Sequence, residues 1–185
     1  YFIYFVIMIS FIDTFSQLPI ISPYAQGLGA TPLLIGIAVG IYSFSNIIGN
    51  LFAGFWIDRD GAKRVLSIGL VITGFILLTY IFADSPMFLI GVRFFHGVSG
   101  GFLVPAAFTF LANRSKEKQK GKSMALSGAV VGLAAIIGPA FGGIVTSAYG
   151  IHWVFITIGI LMVVTAILAF FLLPNTDATM TRRID

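Results

Sequence analysis

The sequence predicts an all-α membrane protein with six transmembrane helices, on the basis of its composition and the placement of its charges. Of its 185 residues, 58% are hydrophobic and only 10% are charged, and the mean hydropathy is +1.01. Uncharged apolar runs long enough to cross a bilayer, about 20 residues each, recur along the chain. Most charged residues stand in short segments between these runs, which is the pattern of loops between membrane spans rather than that of a soluble domain.

Start signals and polar interruptions give the bounds of the six predicted spans. Thr31 and Ser85 are N-cap residues followed by proline at the first helical position, so the second span begins at Pro32 and the fourth at Pro86. The spans are predicted over residues 1–21, 32–57, 65–83, 86–112, 123–149 and 151–173. Residues 22–30, which contain a proline and two glycines and no charge, are predicted to form a loop.

The basic residues give the spans an orientation. Of the 11 lysine and arginine residues, three follow the second span, five follow the fourth and two follow the sixth, whereas the loops after the first, third and fifth spans have none. The positive-inside rule then predicts that both ends of the chain are cytoplasmic and that the chain lies in the cell (inner) membrane. A net charge of +4 distributed in this way indicates a lipid bilayer, and not nucleic acid, as a partner. Because the chain has no cysteine, thiolate metal sites are excluded, and we expect no metal and no cofactor.

A short motif of glycine and charged residues separates the second and third spans. We expect Gly54 to let a helix end approach another backbone, Asp58 to accept hydrogen bonds from N–H groups at a helix start, and Gly61 to adopt a positive φ. The residues of this motif are Gly54, Asp58, Arg59, Gly61, Lys63 and Arg64. Their order resembles the loop between the second and third helices of the major facilitator superfamily of transporters, where it would form a cytoplasmic gate. The alternative is a basic loop that only follows the positive-inside rule.

Asp13 and Arg93 are the only ionisable residues besides histidine within the predicted spans. A charge buried in a bilayer is costly, so it usually lines a cavity or has a partner. At about 1.5 Å per residue, Asp13 lies about 12 Å and Arg93 about 10 Å from the outer ends of their spans, so the two side chains can meet. Desolvation favours a protonated carboxyl and a nearby guanidinium favours the carboxylate, so a change in either would load and release a proton. The alternative is a static ion pair that only fixes helix packing.

The fourth span also resembles that superfamily. Arg93, His96 and the glycines that follow have the order of a helix-four motif that includes a buried arginine and is associated with proton coupling. His96, three residues after Arg93, either titrates near neutral pH or is hydrogen-bonded in a wet cavity. Asn46 and Asn50 form a polar stripe on the second span. They either line the cavity with Gln17 and bind substrate, or they tie helices together.

The fifth span has a glycine and proline segment with a regular spacing. Ala134, Gly138 and Gly142 lie four residues apart on one helix face, which permits close packing of a second helix, and Pro139 is expected to bend the span. Together with Gly143, the segment resembles the helix-five signature found mainly in the antiporter branches of the superfamily, including drug/proton antiporters.

The resemblance covers the whole chain and implies the amino-terminal six-helix half of a twelve-helix major-facilitator fold. Residues 1–173 would form the six-helix transmembrane bundle, and residues 174–185 the start of a cytoplasmic linker to a second six-helix half of the same chain. The expected function is secondary transport and not an enzyme activity. A small lipophilic or cationic substrate would be exported by alternating access, with H⁺ as the coupling ion. The alternative is a sugar or metabolite transporter of the same superfamily.

One segment of the fourth span also fits a hydrolase motif. The residues from Gly97 to Gly101 match the G-x-S-G motif of rhomboid-type intramembrane proteases, with Ser99 as nucleophile and His152 on the sixth span as its base. Ser99 is about 20 Å and His152 about 2 Å from the outer ends of their spans, whereas a nucleophile and its base must come within about 3 Å. The predicted depths therefore argue against a rhomboid-like intramembrane serine protease, which is the remote alternative.

Overall fold

The apolar runs form long α-helices in the structure, a computed structural model that describes residues 2–174. The α-helices are α1 (Phe2–Gln17), α2 (Ile21–Gly27), α3 (Pro32–Asp60), α4 (Ala62–Thr79), α5 (Pro86–Arg114), α6 (Lys120–Tyr149) and α7 (Ile151–Leu172), with 3₁₀ turns at Tyr80–Phe82 and Glu117–Gln119. Five helical segments are long and apolar enough to cross a membrane, and the bent pair of α1 and α2 provides a sixth if it is one span. Apart from Pro174, the predicted linker lies outside the described residues.

The two predicted helix starts are confirmed. The Thr31 hydroxyl accepts a hydrogen bond from the Leu34 N–H at 3.4 Å, with a proline next to the cap. The Ser85 hydroxyl accepts from the Phe88 N–H in the same way, also at 3.4 Å. Both caps satisfy one of the backbone donors left free at a helix start.

The first span differs from its prediction, because it is broken and its second part continues through the predicted loop. Helix α1 ends at Gln17, a turn occupies residues 18–20, and α2 then runs at 45° to α1. Pro19 has no backbone N–H, and its ring clashes with the carbonyl four residues earlier, so a straight helix cannot continue through it. Pro23 does not prevent α2, because it lies in the first turn, where the missing N–H has no intrahelical partner.

Two helix pairs hold the core together through small residues. Helix α3 packs mainly on α5, and α1 mainly on α6, while α4 lies against both α5 and α7. At the α3 and α5 contact, a Cβ added to Gly49 would collide with the Val98 carbonyl oxygen, and one added to Gly101 would lie 2.8 Å from the Gly49 Cα. The two backbones therefore approach closely at these glycines.

Helices α3 and α6 are buried only along narrow stripes. On α3 the buried positions are Ala38, Ser45, Gly49, Ala53 and Ile57. On α6 they are Ser127, Ala134, Gly138 and Gly142. The remaining faces expose large apolar side chains such as Phe44, Leu51 and Ile136. A surface of this kind is suited to lipid or to another apolar bundle.

The motif between α3 and α4 has a different local structure from the one predicted, except at one glycine. Gly61 adopts φ 82° and forms the turn, as predicted. Gly54 is exposed, and a Cβ added to it would meet nothing within 4 Å, so the expected close approach is wrong for the described chain. Asp58 is also not a cap, since it lies in the last turn of α3, and α4 begins without a side-chain cap.

Candidate functional site

A buried carboxylate and imidazole form the centre of the polar network inside the bundle. The Asp13 Oδ2 atom lies 3.0 Å from His96 Nε2, and the two side chains are 1% and 0% exposed. Helix α1 provides Asp13 in its last turns, just before the break at Pro19, and α5 provides His96. The direct partner of Asp13 is thus the histidine, rather than Arg93 as the sequence suggested.

Gln17 lies between the two buried charges. Its Nε2 donates to Asp13 Oδ1 at 2.7 Å, and its Oε1 accepts from Arg93 Nη1 at 3.0 Å. No salt bridge joins Asp13 to Arg93 among residues 2–174. The two charged side chains therefore come close to each other, but they are connected through a neutral amide.

Backbone carbonyls of α3 satisfy much of the remaining capacity of Arg93. Its Nε donates to the Ala38 carbonyl, and its Nη2 is 3.5 Å from the Val39 carbonyl. Its guanidinium also lies over the Tyr42 ring, 5.1 Å from the ring centroid. Arg93 is 6% exposed, so these contacts replace water around a desolvated charge. Arg93 thereby ties α5 to α3 and α1.

Two tyrosines complete the network around His96. The Tyr80 hydroxyl lies 3.0 Å from His96 Nδ1, and the Tyr80 ring stacks on Phe155 with centroids 4.1 Å apart. The Tyr42 ring meets the imidazole edge to face at 5.1 Å, and its hydroxyl lies 3.1 Å from that of Thr14. Both nitrogens of His96 therefore have partners.

This arrangement has two consistent proton patterns. If the Tyr80 hydroxyl donates to Nδ1, then Nε2 carries a hydrogen and donates to the Asp13 carboxylate. If Asp13 is protonated, its O–H donates to Nε2, and Nδ1–H donates to the Tyr80 oxygen. Both patterns keep the contacts of His96 with Asp13 and with Tyr80.

A small cavity reaches the edge of the network. Its volume is about 120 Å³, and its polar lining comes from Thr14, Gln17, Tyr42, Ser43 and Arg93. Water takes about 30 Å³ per molecule in the liquid, so a few waters fit. Pockets for drug-sized ligands are typically about 300–1,000 Å³. This cavity alone is therefore too small for a drug-sized ligand.

The polar stripe of Asn46 and Asn50 lies beside the contact between α3 and α5. Asn46 Nδ2 donates to the Gly97 carbonyl at 3.3 Å, and Asn50 Nδ2 donates to Asn46 Oδ1 at 2.8 Å. Asn46 thus ties two helices together, and neither asparagine contacts Gln17. Asn50 is exposed and keeps hydrogen-bonding capacity at the bundle surface.

The small-residue face of α6 packs on the last turns of α1. A Cβ added to Gly138 would lie 2.7 Å from the Phe15 Cβ, and one added to Gly142 would collide with the Ser16 carbonyl oxygen. Ala134 is fully buried, whereas Gly143 faces open space. Helix α6 continues through Pro139 without a break. The contact therefore lies beside the segment that carries Asp13 and Gln17.

In the motif between α3 and α4, Asp60 is the acidic residue that contacts other side chains. Trp56 Nε1 donates to Asp60 Oδ2 at 2.7 Å, and Asp60 Oδ1 lies 3.5 Å from Arg59 and 4.0 Å from Arg64. Lys63 lies over the Phe170 ring of α7 at 5.5 Å. Asp58 is exposed and makes no hydrogen bond or ion pair within residues 2–174.

The structure does not assemble a protease site from the hydrolase-like segment. Ser99 accepts from the Thr73 hydroxyl at 3.1 Å and donates to the His96 carbonyl at 3.0 Å. His152 instead lies 3.4 Å from the Tyr24 hydroxyl, and no hydrogen bond joins it to Ser99. In the part of the chain that the structure describes, there is also no cluster of three metal-ligating side chains.

Sequence reasoning missed Tyr80, Tyr42 and Thr14. Tyr42 lies four residues before Asn46 on the same stripe of α3, so the helical period was a usable signal. Tyr80 reaches His96 from a 3₁₀ turn on another helix, and no local pattern indicates that contact.

Five long apolar helices, or six spans if α1 and α2 form one, surround a buried polar network, which is typical of a multi-pass membrane protein. Residues 3–184 match the family profile described as Major Facilitator Superfamily, and the chain belongs to that family. Its fold is one half of a major-facilitator fold, and membership indicates a transporter rather than an enzyme.

Three relatives indicate how this chain relates to whole transporters. An uncharacterized MFS-type transporter of Methanocaldococcus jannaschii is 31% identical over 157 residues, covering 85% of this chain and 41% of that protein. Multidrug resistance protein 2 of Bacillus subtilis is 26% identical over 169 residues, covering 91% and 42%. Quinolone resistance protein NorA of Staphylococcus aureus is 29% identical over 143 residues, covering 76% and 36%. The chain thus spans about two fifths of the length of the relatives it matches.

Proposed function

We propose that this chain is the amino-terminal half of a proton-coupled transporter that exports small lipophilic or cationic compounds by alternating access. Asp13 binds the proton or the cationic substrate, and His96 shares the proton. The positive charge of Arg93 offsets the negative charge of the Asp13 carboxylate. The observation that carries the proposal is the Asp13 carboxylate, which is 1% exposed and 3.0 Å from the His96 imidazole. The names of the multidrug and quinolone resistance relatives support export of such compounds.

The charges of the site explain how a proton and a cation would exclude one another. With Asp13 ionised and His96 neutral, the carboxylate and the Arg93 guanidinium sum to zero. A bound proton raises the sum to +1 in surroundings of low dielectric constant, where charges are costly. A cation at the same place has the same effect, so binding both is unfavourable. Competition of this kind is the thermodynamic basis of antiport.

The chain is proposed to work with a second six-helix half in the cell membrane, with both ends of the described half at the cytoplasmic side. That second half would complete the ligand site beside the small cavity at Arg93. The residues from Gly54 to Arg64 would form the cytoplasmic gate against it. Asp58 supports this role, because it is exposed and has no partner among the described residues.

A transport assay on the full-length protein tests the proposal. Vesicles containing the protein are loaded with a lipophilic fluorescent cation, and its movement is followed after a pH gradient is imposed. We expect Asp13→Asn to abolish gradient-driven movement, and Asp84→Asn, an exposed acid in the loop before α5, to leave it unchanged. Transport by Asp13→Asn at the wild-type rate would refute the role of Asp13. Transport of a sugar, with none of the cation, would favour the metabolite alternative.

A further inference from the structure

A second and larger cavity lies at the end of the bundle that carries the basic loop between α5 and α6. Its volume is about 550 Å³, and it lies among the start of α1, the end of α5, the start of α6 and the end of α7. This volume is within the range of about 300–1,000 Å³ that is typical of ligand sites. The cavity is separate from the Asp13 network, and none of the residues of that network line it.

One wall of this cavity is strongly basic. Arg114, Lys116 and Lys122 line it, and no aspartate or glutamate does so. These three side chains have no ion pair or hydrogen bond within residues 2–174. The nearby acid, Glu117, is paired with Lys120 at 2.7 Å. Three cations around one cavity, not neutralised by any acid within residues 2–174, favour an anion there.

Neutral hydrogen-bonding groups stand beside these cations. The Ser115 hydroxyl lies 2.9 Å from that of Ser123, which joins the end of α5 to the start of α6, and both serines line the cavity with Gln119. Hydroxyl, amide and guanidinium groups together are suited to phosphate oxygens, with arginine able to bind two of them at once.

The rest of the lining is mostly apolar. It includes side chains from α1, α5, α6 and α7, namely Phe2, Phe110, Leu126, Leu172 and Leu173. A soluble anion gains nothing from such a lining, whereas an amphiphile places its charged head on one side and its hydrocarbon on the other. The cavity also lies at the helix ends, where lipid headgroups are found.

We propose that this cavity binds an anionic phospholipid, with the phosphate between Arg114, Lys116 and Lys122 and the start of an acyl chain against Leu126 and Leu172. Basic pockets between transmembrane helices are known to hold lipid headgroups in this way. The site depends on the placement of the chain in a bilayer and is independent of which substrate the protein transports.

Native mass spectrometry of the full-length protein tests the proposal. The protein is equilibrated with phosphatidylglycerol or with phosphatidylcholine of the same acyl chains, and retained lipid is counted. We expect phosphatidylglycerol to be retained about tenfold more strongly, and Arg114→Gln/Lys116→Gln/Lys122→Gln to remove that preference. The three residues are exposed, so the variant is expected to fold, and each single change should give part of the effect.

Lys118→Gln is the matched control, because Lys118 is in the same loop but does not line the cavity. Equal loss of preference in Lys118→Gln would show diffuse attraction to the loop and overturn the site. An unchanged preference in the triple variant would do the same. Displacement of the lipid by inorganic phosphate, at constant ionic strength, as effectively as by added phosphatidylglycerol would show a free-phosphate site instead of a lipid site.

Discussion

At the scale of single residues, Gln17 determines how the two buried charges interact. Its amide accepts from Arg93 and donates to Asp13, so the acid and the base are stabilised without a direct ion pair. A neutral spacer weakens their Coulomb attraction. The other oxygen of the same carboxylate lies 3.0 Å from His96 Nε2.

Replacement of Gln17 with methionine removes both hydrogen bonds with little change in volume. We expect the variant to unfold at a lower temperature in detergent, with a loss of about 1–3 kcal/mol for each buried group left without a partner. Gln26→Met is the control, since Gln26 is exposed at the end of α2. Equal stability of the two variants would show that the hydrogen bonds of Gln17 do not stabilise the fold.

Tyr80→Phe isolates the hydroxyl that contacts His96 Nδ1. The ring contact with Phe155 is kept, so the change removes only the interactions of the hydroxyl, including the contact with His96 Nδ1 at 3.0 Å. We expect a decrease of about 1–3 kcal/mol in the free energy of unfolding, measured by denaturant titration in detergent. Tyr149→Phe, at an exposed tyrosine, should leave it unchanged. A Tyr80→Phe protein as stable as Tyr149→Phe would contradict the network.

The sequence was sufficient to locate Asp13, Gln17, Arg93 and His96, because polar groups within an apolar span are rare and costly. It was not sufficient to pair them. Pairing depends on the rotation of each helix, and here α1 turns so that Gln17, and not Asp13, faces the guanidinium. The roles of these residues in transport stay predictions.

At the scale of helices, the short α1 and the break that follows it determine the bent shape of the first span. Pro19 ends α1 directly after Gln17, and Tyr24 on α2 donates to the Tyr80 carbonyl at 2.8 Å. The bent first span therefore contacts the 3₁₀ turn that carries Tyr80. The caps at Thr31 and Ser85 were predictable from adjacent residues, whereas the continuation of the span through α2 was not. The sequence alone does not distinguish a proline in the first turn of a helix from a proline in a loop.

Paired glycine variants on α6 test the contact between α1 and α6. Gly142→Ala places a methyl group against the Ser16 carbonyl, so the helices must separate, and we expect a loss of about 1–3 kcal/mol in unfolding free energy. Gly143→Ala meets nothing within 4 Å and should be neutral or stabilising by about 0.5–1 kcal/mol, because glycine is a poor helix former. Similar unfolding curves for the two variants would contradict the packing.

At the scale of the whole molecule, α3 and α6 expose apolar faces that suit contact with lipid or with another apolar bundle. The positions of the loop charges were predictable from the positive-inside pattern. The sequence did not predict which acidic residue of the motif has partners, because Asp58 and Asp60 differ only in the side of α3 that they occupy. Asp60 bonds within the chain, and Asp58 is left for contacts outside it.

If Asp58 contacts the second half, Asp58→Asn should slow the exchange between inward-open and outward-open states while leaving substrate affinity unchanged. The measurement is the rate of substrate counterflow in vesicles, together with equilibrium binding in detergent, on the full-length protein. Asp84→Asn is the charge-matched control. A loss of affinity with an unchanged counterflow rate would contradict the gate.

Proton release on ligand binding is the most direct test of the central claim that a proton and a cationic substrate compete for Asp13 and His96. A lipophilic cation is added to the full-length protein in weakly buffered detergent solution, and the pH change is recorded near neutral pH. The account predicts release of about one proton per bound cation in the wild type and none in Asp13→Asn, by thermodynamic linkage. Equal proton release from wild type and Asp13→Asn would contradict it.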